Sequence, residues 1–145
     1  MTEQTERDLY HSLSYYTLTH PDPGFIHQFI ADAYGAQRAT PKTKPVTLAL
    51  ALVGLYLHIE KGYTGKQVQQ AHTRLAKSKR NWPPFRLPPN RGDVTVADAL
   101  AAQPGDERDA MIEKWSRSVW GAYRDSHAQV AKMYEEITGE QGSRR

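Results

Sequence analysis

The chain has 145 residues, 39% of them hydrophobic and 24% charged, and no cysteine. Those are the proportions of one globular domain long enough to bury a core unaided. The missing cysteines exclude disulfides, thiolate metal sites and cysteine nucleophiles, and make a reducing cytoplasm the expected location.

The net charge of +3 conceals a division along the chain. Residues 1–32 hold five acids and one base, residues 33–92 one acid and eleven bases, and residues 93–145 ten acids and seven bases. The middle segment should therefore project a positive field. No apolar run follows a basic start in the first thirty residues, so no signal peptide is expected. The most apolar stretch, residues 46–57, is shorter than the roughly twenty residues a membrane span needs.

Residues 2–19 read as a first helix, with Leu9, Leu13 and Tyr16 at three- and four-residue spacing. The run His20-Pro21-Asp22-Pro23-Gly24 interrupts it. Asp22 stands where an N-cap belongs, with Pro23 in the first turn of a second helix. That helix should reach Arg38 and bury Phe25, Ile26, Phe29, Ile30 and Ala33. Pro41 and Pro45 precede a third helix over residues 46–61, which Gly62 closes. It is apolar on nearly every side and should lie at the centre.

Thr64-x-x-Gln67 has the pattern of a capping box and opens a fourth, basic helix to about Ser78. Its thin apolar set, Val68, Ala71 and Leu75, suits a surface position. Residues 81–92 contain Pro83, Pro84, Pro88 and Pro89 and form a loop, pinned to the bundle by Trp82, Phe85 and Leu87. Thr95-x-x-Asp98 announces a short helix to Ala102. One long final helix is then expected from Asp106 to Gly139, its seam formed by Ile112, Trp115, Val119, Ala122, Ser126, Val130, Met133 and Ile137.

The expected fold is all-α: a helical bundle of four main helices, with a basic surface helix and a proline-rich loop. Residues 1–139 form its single domain, and residues 140–145 a disordered tail.

Three stretches carry a resemblance. They are Phe25-x-His27-Gln28-x-x-x-Asp32-x-Tyr34-x-x-Gln37, then Leu57-x-x-Glu60-x-Gly62, then Thr95-Val96-x-Asp98 followed by Trp115-x-x-x-x-Trp120-x-x-Tyr123-x-x-x-His127. In this order they resemble a family of short prokaryotic helical proteins of unknown function, over roughly residues 20–130. Many members of that family begin with a Cys-x-x-Cys segment. This sequence has none, so any metal site carried by that segment is absent here. The resemblance implies a fold and no activity.

Three groups of residues are candidates for function. His27 lies near the start of the second helix and His58 near the end of the third, so antiparallel packing would put both in one layer. With His127 and Glu60 (or Asp32 as ligand or base) they could hold a divalent ion such as zinc, nickel, manganese or iron. No His-x-x-x-His or Glu-x-x-His pair occurs on one helix to reinforce that reading. Asp32, Tyr34 and Gln37 on the second helix, with Trp120 and Tyr123 on the last, form a possible ligand pocket or a structural hydrogen-bond network.

From Lys61 to Gly92 there are eight bases and no acid. Lys77, Lys79, Arg80 and Arg86 beside Trp82 suit a nucleic acid or another polyanion. Pairing of that face with acidic helices, in the same chain or in a homodimer, is the alternative. No nucleophile elbow, glycine-rich phosphate loop or zinc-protease motif is present, which leaves the reaction, if there is one, unassigned.

Overall fold

The helix-forming runs resolve in a computed structural model that describes residues 3–20, 22, 24–78 and 81–139. Among these residues there are seven α-helices and no strand. They are α1 (Glu3–Thr19), α2 (His27–Gln37), α3 (Pro45–Lys61), α4 (Gly65–Ala76), α5 (Val96–Ala101), α6 (Asp106–Ala122) and α7 (His127–Thr138). No helix is long and apolar enough to cross a membrane among the described residues. The expected tail, residues 140–145, lies outside them.

The most apolar segment takes the central place. α3 is buried continuously from Ala51 to Leu57 and packs against α2, α4, α6 and α7. It ends where the backbone turns left-handed at Gly62, φ 74°, a conformation that costs glycine little. Both capping boxes form: Thr64 Oγ1 accepts from Gln67 N–H at the head of α4, and Asp98 accepts from Thr95 N–H at the head of α5. α4 lies on the surface and buries only Gly65, Val68, Ala71 and Leu75. In the loop after it Phe85 is buried, and Trp82 and Leu87 pack half-buried against the core.

Two boundaries differ from the sequence reading. α2 begins at His27, because Phe25 adopts a left-handed backbone, φ 56°, that a helix cannot contain. The Asp22 carboxylate still accepts the Ile26 N–H. The Phe25 turn is held against α4: Lys66 N–H donates to Gly24 O at 2.8 Å. A Cβ on Gly65 would lie 1.9 Å from Phe25 O, so glycine alone permits this approach.

The final helix is also broken rather than continuous. α6 stops at Ala122, a single 3-10 turn spans Arg124–Ser126, and α7 starts afresh. The expected seam is nonetheless largely buried, from Ile112 through Ser126 to Met133. Trp120 and Tyr123 lie off that seam and are buried as well, at 3% and 1% exposure. A straight helix presents one stripe to a core. The break lets the chain bury a second stripe.

Candidate functional site

The layer of histidines is only half realised. His58 stacks on Phe29, ring centroids 3.7 Å apart, so the end of α3 does lie beside the start of α2. Its two ring nitrogens are taken by other groups, however: Nδ1–H donates to Tyr63 O at 2.9 Å and Nε2 meets Glu113 Oε1 at 2.5 Å. His27 turns to α1, where its Nδ1 meets Thr17 Oγ1 at 2.9 Å. Thr17 spends its own proton on Ser14 O, so the imidazole is the donor. Burial lowers the pKa of His27.

His127 lies flat on the Trp120 indole, with centroids 3.7 Å apart, and donates from Nε2 to Trp120 O. Glu60 accepts the Trp120 Nε1–H at 2.8 Å. The four expected metal ligands are thus divided among three places. Among the described residues, no three histidine, aspartate or glutamate side chains group so as to hold an ion.

The polar residues of α2 meet a partner that the sequence reading passed over, His72 of α4. Asp32 is 4% exposed, and its Oδ1 accepts from Gln28 Nε2 at 3.1 Å. The second amide proton of Gln28 faces His72 Nδ1 at 3.3 Å, while His72 Nε2–H donates to Leu50 O at 2.7 Å. That pattern needs neutral imidazole, since one nitrogen accepts and the other donates. Burial lowers the His72 pKa, opposed in part by the bond to Leu50, and raises that of Asp32 well above the ordinary carboxylate value, opposed in part by Gln28. At 3.8 Å from His72 Nε2, Asp32 shares a buried polar layer with it, in which the shifts of both groups run against an ion pair.

Among the described residues, Asp32 Oδ2 has no hydrogen-bond partner, and it rests on the bare α-carbon of Gly54. An added Cβ there would sit 1.9 Å from it. The signal for His72 was present in the sequence: it lies four residues after Val68 and three before Leu75, on the buried stripe of α4.

The other candidate pocket residues form a staple. Gln37 donates from Nε2 to Arg91 O and Val94 O, and its Oε1 accepts the Trp115 indole N–H at 2.9 Å. Tyr123 donates to Ala36 O at 2.6 Å, and burial raises its pKa. The Arg91 guanidinium donates to Pro88 O, Gln37 O and Ala39 O. The carbonyls at the end of α2, where the helix dipole is negative, are thereby covered by a cation and a phenol. Tyr34 stacks on Tyr10 of α1 at 4.1 Å. These residues hold helices and loop together, so network rather than pocket describes them.

In the basic segment, Arg91 alone is spent on the fold in this way. Lys61 lies over the Tyr56 ring and Arg74 reaches Tyr134 Oη. Lys66, Lys77 and Arg86 are exposed. Among the described residues, none of these six cations pairs with a carboxylate, whereas Arg38 pairs with Glu6 and Arg117 with Glu113. Lys79 and Arg80 lie outside the described residues.

An all-helical bundle with a buried polar layer is the class the geometry defines. The chain belongs to a family of unknown function (DUF5946), whose model matches residues 4–124, from α1 to the start of the 3-10 turn. No curated protein and no solved structure matches it.

Proposed function

We propose that the protein is a binding module for single-stranded nucleic acid or a similar polyanion, held by α4 and the loop that follows it. The observation that supports this reading is the set of cations over residues 61–92 without carboxylate partners among the described residues. Unneutralised charge on one face is what phosphate contacts use, and half-exposed Trp82 beside it offers a stacking surface. Phe85, by contrast, is committed to the core. The reading is preferred to a histidine-held metal because His58 has both ring nitrogens engaged and the other expected ligands face elsewhere.

Fluorescence anisotropy with labelled single-stranded RNA tests it. With about three phosphate contacts, raising salt from about 50 to about 200 mM should weaken binding roughly twentyfold. Lys77→Ala/Lys79→Ala/Arg80→Ala should weaken it further and flatten the salt slope. Absence of binding at low salt would overturn the proposal. So would sedimentation showing a low-salt dimer whose formation the same triple variant abolishes, because the basic face would then be occupied by a second copy.

A further inference from the structure

Between the proline-rich loop and the α6–α7 break lies a cleft of about 660 Å³, within the size range of small-ligand sites. It is held open by anchors on the loop. Gln129 Nε2 donates to Pro84 O at 3.2 Å, and Asp93 N–H donates to Ser118 Oγ at 3.0 Å. Between these, Arg91 ties the loop to the end of α2 through Gln37 O and Ala39 O and braces the loop itself at Pro88 O. A loop rich in proline and fixed at three points stands off the helices as a preformed wall and does not collapse onto them.

Three features shape what the cleft can hold. Ser126 is 5% exposed, lines the cleft, and its hydroxyl makes no hydrogen bond among the described residues. Gly121 sits in the last turn of α6 with ordinary helical backbone, and a Cβ added there would meet nothing within 4 Å. Neither conformation nor packing calls for glycine, the poorer helix former; what it leaves is empty space in the cleft wall. Arg86 and Arg124 are both exposed at the cleft; Arg124 Nη1 donates to Gly121 O at 3.3 Å, and neither guanidinium pairs with a carboxylate among the described residues.

The charges decide the class of ligand. Two guanidinium groups line the cleft together with two carboxylates, Asp93 and Asp125. A bare anion would meet as much repulsion as attraction. A molecule with a phosphoryl group at one end and hydroxyls at the other uses both kinds of group, since arginine matches phosphate and carboxylates accept from ribose hydroxyls. The anchors order the cleft along its length: Asp93 is fixed beside Ser118 of α6, and Arg86 follows the Pro84 anchor to α7. The apolar wall from Pro88, Pro89 and Ala122 leaves room for a ring.

We infer that this cleft binds a nucleotide, with its phosphoryl group at Arg86, Arg124 and Ser126 and its sugar hydroxyls towards Asp93. The cleft shares the loop after α4 with the polyanion-binding surface, and Arg86 is the one basic residue common to both. Free nucleotides and the phosphorylated end of an RNA strand present the same chemistry.

Titration calorimetry of the full chain with adenosine 5′-monophosphate should show saturable binding, with adenosine and inorganic phosphate each at least about tenfold weaker. Gly121→Leu fills the space without touching the core and should abolish the heat while leaving the melting temperature unchanged or slightly raised. Ser126→Ala and Arg124→Gln should each weaken binding, whereas the Lys77/Lys79/Arg80 triple variant should not. A 5′-phosphorylated oligonucleotide that competes as well as the monophosphate identifies a strand end as the natural ligand, and weaker competition identifies the free nucleotide. No saturation by the monophosphate, equal binding of phosphate alone, or a Gly121→Leu variant that binds like the parent would overturn the inference.

Discussion

Two polar regions of this molecule have opposite characters. At the junction of α2, α3 and α4, Asp32, Gln28 and His72 are closed off, and their atoms are matched to each other and to Leu50 O, with one carboxylate oxygen left over against Gly54. At the α6–α7 break, a hydroxyl and two guanidinium groups border open space. Burial makes the first region demanding: a charge or a misplaced group there is costly. The second is free to change without cost to the core. The histidines and acids singled out in the sequence meet partners on neighbouring elements, and the cleft is lined, Arg86 apart, by residues that carried no functional signal in it.

The contrast can be broken most severely at Gly54. Gly54→Ala drives a methyl group into Asp32 in a packed helix contact, and the expected loss is about 3 kcal/mol in thermal or denaturant unfolding. Combining it with Asp32→Ala should recover part of that loss; simple addition of the two costs would show that the carboxylate is not what the methyl meets.

Next is Arg91→Ala, which uncovers three carbonyls at the α2–loop junction and should cost about 2 kcal/mol. Arg91→Lys should not restore it, because an ammonium group lacks the planar fork that reaches separate acceptors. A lysine variant as stable as the parent would reduce the staple to a matter of charge.

The smallest effect, and the most informative about protonation, is Asp32→Asn. The raised pKa means the folded chain keeps this proton to higher pH than the unfolded chain does. Its contribution to stability is full below the ordinary carboxylate range and is lost as pH rises through the folded value. The asparagine variant should therefore gain on the parent as pH increases, by a few degrees in Tm at about 2–4 °C per kcal/mol. His72 has the reverse sign: with its pKa lowered, its contribution is full above the ordinary histidine value and declines as pH falls below it. A variant that loses ground with rising pH would mean that Asp32 is ionised and paired with His72.

Much of the fold could be read in advance because its signals are local. Thr64-x-x-Gln67, Thr95-x-x-Asp98 and Gly62 act within a single turn, and each formed as expected. The apolar run of α3 needs no partner to be recognised as central. The candidate sites were harder because their geometry depends on distant pairings. His58 meets Glu113 from 55 positions away, Trp120 meets Glu60 from 60, and Tyr123 reaches Ala36 from 87. Spacing on one helix places side chains on a face but does not say which group on another helix claims them. His27 shows this: it lies near the expected level, and Thr17 of α1 accepts its hydrogen bond. The break before α7 escaped notice because the seam residues keep their spacing through it.

The Phe25 turn ties two parts of the chain that are forty residues apart in sequence. Its carbonyl fills the hollow left by Gly65, and Gly24 O receives the Lys66 amide proton. An aromatic residue gives up its preferred backbone angle there only while α4 is seated against it. The connection works as a latch: lifting α4 would let Phe25 relax, and seating α4 again requires the turn to be wound first.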